Sequence, residues 1–97
     1  DINAAIKLKP IYENFSCLAF RADLLQELRE YKKAIEDYTY AIDYFPEEFG
    51  TKIGAVHYER AKCYLYSGEK EKACLDFNEA LKRRMADAKK FIDEYCK

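Results

Sequence analysis

The sequence predicts an all-α fold, an α-solenoid of antiparallel helix hairpins, on three observations. The stretch from Glu30 to Pro46 spaces Ala34, Tyr38 and Ala41 at i, i+4 and i+7, one apolar stripe of a helix that Pro46 closes. The same line returns 39 residues later: Arg21-Ala22, Glu30, Lys33-Ala34, Asp37 and Ala41 become Arg60-Ala61, Glu69, Lys72-Ala73, Asp76 and Ala80. Asp1, Ala5 and Pro10 repeat the spacing of Asp37, Ala41 and Pro46, so a truncated copy leads the chain. Self-similarity at a fixed period marks a repeat array, in which each unit buries its apolar face against the next.

In order, residues 1–10 read as half a repeat, 11–46 as a first full repeat, 47–85 as a second and 86–97 as a C-terminal capping helix. Together they make one domain. In the half repeat, Ile2, Ala5 and Ile6 form a stripe in need of a partner, and Lys9-Pro10 ends it. Tyr12 to Leu28 is the next helix, with Leu18, Ala22 and Leu25 on one face and Ala19, Asp23, Gln26 and Glu27 on another. Ala22 is small where two helices must approach closely. Arg29-Glu30 is the turn, and Tyr31 to Tyr44 the returning helix.

Phe45 to Gly54 reads as an irregular connection, punctuated by Pro46, Gly50 and Gly54, with Thr51 as the N-cap of the next helix. That helix, running to Ser67, carries His57, Ala61 and Tyr64 inward, and Ser67-Gly68 stops it with glycine in the left-handed conformation. Glu69 to Arg84 returns, acidic early and basic late as the helix dipole prefers. Ala86 to Cys96 makes one more amphipathic helix through Ala88, Phe91, Ile92 and Tyr95.

The spacing Ala34-x3-Tyr38-x2-Ala41-x4-Pro46, preceded by Leu18, Ala22 and Leu25 and echoed by Ala61, Tyr64, Gly68, Ala73, Phe77 and Ala80, resembles the tetratricopeptide repeat. That family's unit of about 34 residues is an antiparallel helix pair. The chain departs from the pattern at His57, where a large apolar residue is usual, at Arg29, where glycine turns the chain, and at Met85, which replaces the closing proline.

Composition excludes several functions. Lys and Arg number 17 against 18 Asp and Glu, a net charge of −1, so no global field holds nucleic acid or an anionic membrane. Lys82, Arg83, Arg84, Lys89 and Lys90 are interrupted by Asp87 and Asp93 and suit a solvated helix end. No apolar run approaches the ~20 residues of a membrane span. His57 is the lone histidine, placed inward, and supports neither a nucleophile–base pair nor a metal site. The three glycines make no phosphate loop. Neither enzyme activity nor a cofactor is expected.

Cys17, Cys63, Cys74 and Cys96 contain no C-x-x-C pair and read as small, buried, reduced core residues, which leans toward a cytoplasmic setting. Cys63 and Cys74 lie on the two helices of one pair, so a disulfide between them stays open. Arg21 with Asp37, and Arg60 with Asp76, occupy equivalent places in the two repeats and are expected to bridge each hairpin in bidentate geometry.

The resemblance implies that the first helices of successive repeats line a concave groove for an extended peptide or a partner helix. In this chain that means Phe20, Asp23, Gln26 and Glu27 beside Tyr58, Glu59, Lys62, Leu65 and Tyr66, with the two tyrosines as aromatic anchors. Family members that clamp the carboxylate of chaperone tails use basic side chains there. Ala19 and Asp23, then Tyr58 and Glu59, argue against that partner. The expected function is a protein–protein interaction module. The alternative is a structural or self-association segment of a larger repeat protein, packing through its open N-terminal half repeat.

Overall fold

The computed structural model describes residues 11–44 and 50–96, and all regular structure in them is helical. Five helices follow one another: α1 (Ile11–Glu27), α2 (Tyr31–Tyr44), α3 (Gly50–Tyr66), α4 (Lys70–Lys82) and α5 (Ala88–Tyr95). Neighbours in sequence are neighbours in space, α1 on α2, α2 on α3, α3 on α4 and α4 on α5, with only slight contact between α1 and α3. The expected leading half repeat, with Ile2, Ala5 and Ile6, and the part of the expected connection that carries Pro46 lie outside the described residues.

The 39-residue spacing recurs in the packing. Ala22 and Ala61, Ala34 and Ala73, Tyr38 and Phe77, and Ala41 and Ala80 are equivalent pairs, and all eight residues are buried. Alanines at these places let helix axes approach, and the aromatic ring fills the space between them. One core joins α1, α2 and α3 through Phe15, Leu18, Tyr38, Ile53 and Val56. A second joins α3, α4 and α5 through Ala61, Phe77 and Ala88, with Phe91, Ile92 and Met85 packed against it. Phe91 stacks on Phe77 at 4.7 Å between ring centres, which is how the short α5 is seated.

Both helix pairs turn by one device. At the end of α1, Glu30 N–H bonds to the Leu25 carbonyl and Arg29 N–H to that of Gln26, with Arg29 at φ 64°. At the end of α3, Glu69 bonds to Tyr64 and Gly68 to Leu65, with Gly68 at φ 88°. These are Schellman caps. A third ends α4, where Met85 bonds to Ala80 and Arg84 to Leu81, with Arg84 at φ 72°. The left-handed conformation costs glycine nothing and costs an arginine ~1–2 kcal/mol.

Side-chain brackets tie each pair, as the sequence predicts. Arg21 donates through Nε and Nη2 to Asp37 at 2.7 and 2.6 Å. Arg60 grips Asp76 in the same way at 2.6 and 2.8 Å. The second bracket is the richer one. His57 Nδ1 lies 3.0 Å from Asp76 Oδ1, and Arg60 also donates to Thr39 Oγ1 at 2.9 Å, crossing to α2. His57 is therefore the packed, hydrogen-bonded core residue its position suggests. Burial alone would raise the Asp76 carboxyl, but the hydrogen bonds from Arg60 and His57 outweigh it and hold the group below the ordinary carboxylate value.

Two expectations are corrected. Gly50 to Gly54 belong to helix α3 and not to the connection, so Thr51 is not its N-cap. Gly54 is small because the helix lies against the end of α4: a Cβ there would stand 2.9 Å from that of Arg83. The cysteines are not all reduced. Cys74 of α4 is bonded to Cys96 just beyond α5, with Cα atoms 5.7 Å apart, while Cys63 is buried and free and Cys17 half-buried and free. The premise of four reduced thiols for a cytoplasmic setting falls with that bond. No helix among the described residues is long and apolar enough to cross a membrane.

Candidate binding groove

Helices α1 and α3, the first of each pair, run side by side with little direct contact, and a recess of about 220 Å³ opens between them. Phe15, Ala19 and Asp23 line it from α1, Ala55, Val56 and Glu59 from α3, and Tyr38 of α2 closes it below. Phe15, Ala19 and Asp23 follow i, i+4 spacing, as do Ala55 and Glu59, while Val56 stands i, i+3 from Glu59, so each set lies on one side of its helix. Phe15, Val56 and Tyr38 are core residues, so the floor is apolar and rigid.

Polar groups sit at the mouth. The Tyr38 hydroxyl donates to Asp23 Oδ1 and, at 3.4 Å, to Gln26 Oε1, which fixes the Asp23 carboxylate over the recess. Burial, then this hydrogen bond, pushes the Tyr38 phenol well above its ordinary value. Across the recess, Glu59 pairs with Lys62 at 3.1 Å, and the Lys62 ammonium lies 4.9 Å from the centre of the Tyr58 ring. Burial would lower the Lys62 ammonium, but Glu59 raises it, so Lys62 stays charged. Beneath this rim, burial and the Glu59 charge push the Cys63 thiol up to about 12.

Of the nine residues expected in a groove, Asp23 and Glu59 line the recess. Gln26 and Lys62 stand beside them through Tyr38 and Glu59. Phe20 and Glu27 are exposed on α1 outside it. Tyr58 and Leu65 pack instead against the second core, Tyr58 edge-on to Phe77 and Phe91 at 6.0 and 5.7 Å. Tyr66 stays half exposed against Tyr31, with ring centres 5.7 Å apart. The floor residues Phe15, Ala55 and Val56 were not among those expected. The first is one helical step before Ala19 and readable as an extension of its face. Ala55 and Val56 fall in the first turns of the following helix, just past the connection read as ending at Gly54, and were given no face there.

No protein-family model, no curated protein and no solved structure matches this chain.

Proposed function

We propose that this chain is a tetratricopeptide-type α-solenoid that works as a non-catalytic protein–protein interaction module, holding a peptide or a partner helix in the groove between α1 and α3. The observation that carries the reading is the recess itself. It lies between the first helices of two equivalent pairs, with a rigid apolar floor and charged groups fixed at its mouth. The Arg21–Asp37 and Arg60–Asp76 brackets support it by holding each wall in place, so little order has to be gained on binding.

The test is selection of a displayed dodecapeptide library on the immobilised chain, with fluorescein-labelled hits measured by anisotropy. Ala19→Leu, which fills the recess, is expected to weaken the hits at least tenfold while leaving the melting curve in place. Hits indifferent to Ala19→Leu and to Ala55→Leu would move the site off this groove.

A second reading, self-association at the leading edge, is favoured by one observation. Phe20 and Leu24 of α1, and Leu28 just past its end, are exposed at four-residue spacing. Leu24 is the 39-residue equivalent of Cys63, which is fully buried where α3 meets the first core. Sedimentation equilibrium decides it: a monomer at high concentration removes this reading, and a dimer dispersed by Leu24→Glu supports it.

A further inference from the structure

The chemistry of the recess narrows what it accepts. Its volume of about 220 Å³ lies below the ~300–1,000 Å³ of small-molecule pockets and suits a single side chain. The floor of Phe15, Ala19, Ala55 and Val56 presents hydrocarbon side chains to whatever enters, with Tyr38 below them. The mouth is acidic. Asp23 and Glu59 face each other across it, and Glu27 stands one turn beyond Asp23 on α1. The arginines of these helices do not offset them, because Arg21 and Arg60 are committed to Asp37 and Asp76. Lys62 is the one cation beside the mouth among the described contacts, and Glu59 and the Tyr58 ring already hold it.

An apolar shaft under a carboxylate rim complements a side chain that is hydrocarbon along its stem and cationic at its tip. We propose that the recess between α1 and α3 takes a lysine or arginine side chain of a bound peptide, its stem on Phe15 and Val56 and its charge between Asp23 and Glu59. The inference rests on reading the α1–α3 face as a peptide groove, and it adds the class of residue recognised. The Tyr38 hydroxyl, donating to Asp23, holds that carboxylate in position for this contact.

The same displayed dodecapeptide library tests it, selected in parallel on the chain and on an Asp23→Asn, Glu59→Gln double variant. Both substitutions keep an oxygen acceptor for Tyr38 and Lys62, and unchanged melting checks that the variant folds. Peptides blocked by Ala19→Leu are expected to share a lysine or arginine at one position. Replacing that residue by norleucine should weaken them at least fivefold, and the double variant should erase the difference. Raising sodium chloride from about 0.05 to 0.5 M should narrow it too, since partly exposed ion pairs are screened. Groove-bound peptides with no shared basic residue, or norleucine binding as well as lysine, would overturn this inference and leave the groove reading standing. No peptide sensitive to Ala19→Leu would overturn both.

Discussion

Removing Asp76 should cost the fold far more than removing its repeat equivalent Asp37, although the two carboxylates face equivalent arginines. Asp76 receives two hydrogen bonds from Arg60 and lies 3.0 Å from His57 Nδ1. Its side chain is 7% exposed and that of Arg60 16%. Asp76→Ala therefore leaves a guanidinium in a mostly buried place, with its hydrogen bond to Thr39 and the Tyr64 ring beneath it but no carboxylate in contact. Breaking a buried pair in this way costs about 3–5 kcal/mol. Arg21 is 33% exposed, so after Asp37→Ala its guanidinium turns to water, and the loss is about 1–2 kcal/mol. The expected gap is ~2 kcal/mol, or roughly 8–16 °C in melting temperature for a domain of this size. Urea titrations followed by far-UV circular dichroism measure both losses. A cycle with Arg60→Met then isolates the coupling, expected at ~2 kcal/mol or more. If Asp76→Ala leaves no folded fraction, Asp76→Asn serves, with the order of the two repeats unchanged. Equal losses at Asp37 and Asp76, or a coupling near zero, would refute the argument that burial sets the value of these brackets.

Three further outcomes are expected. Arg29→Gly should stabilise the chain by about 0.5–1 kcal/mol, because glycine removes the left-handed penalty and returns part of the gain as unfolded-state entropy, while Gly68→Ala should destabilise it by ~1 kcal/mol. Chemical denaturation reads both. The Tyr38 phenol is raised in the fold, by burial first and the Asp23 bond second, so its contribution is complete below its unfolded value of ~10 and is lost as the pH climbs above that. Stability measured from pH 8 to 12 should fall at the alkaline end, and less steeply in Tyr38→Phe. Reduction of the Cys74–Cys96 bond, or Cys96→Ser, should cost about 3 kcal/mol for a separation of 22 residues. Alkylation and mass spectrometry of the unreduced chain should label Cys17 before the buried Cys63.

The helices were legible because their signals are local and are written twice. The Ala34–Tyr38–Ala41 stripe and its copy at Ala73–Phe77–Ala80 mark where α2 and α4 pack, and the repeated Arg and Asp positions imply the brackets. Gly68 announces its own cap. What sequence could not supply is where one helix lands on another. Gly54 resembles a loop residue because an isolated glycine reads as a breaker, yet its purpose is to clear Arg83 at the end of a neighbouring helix. Tyr58 lies on the expected groove helix but is claimed by Phe77 and Phe91 once α5 folds over it. The partner of Cys74 was open for the same reason. Cys63 was the neighbour within the hairpin, and only the docking of α5 brings Cys96 within bonding reach.

That bond has a mechanical consequence. A chain pulled from its ends lengthens by ~3.3–3.6 Å for each residue released. The Cys74–Cys96 link withholds a segment of 22 residues from the tether, roughly 70 Å of contour, however completely the helices inside it melt. Under load the segment between Cys74 and Cys96 cannot lengthen, so the extension has to come from the helices before it. The Arg60 to Thr39 contact and the packing of Ile53 and Val56 are among the interactions that must yield there. Oxidised and reduced molecules should thus differ in length at rupture by that fixed amount, which makes the redox state readable on a single molecule.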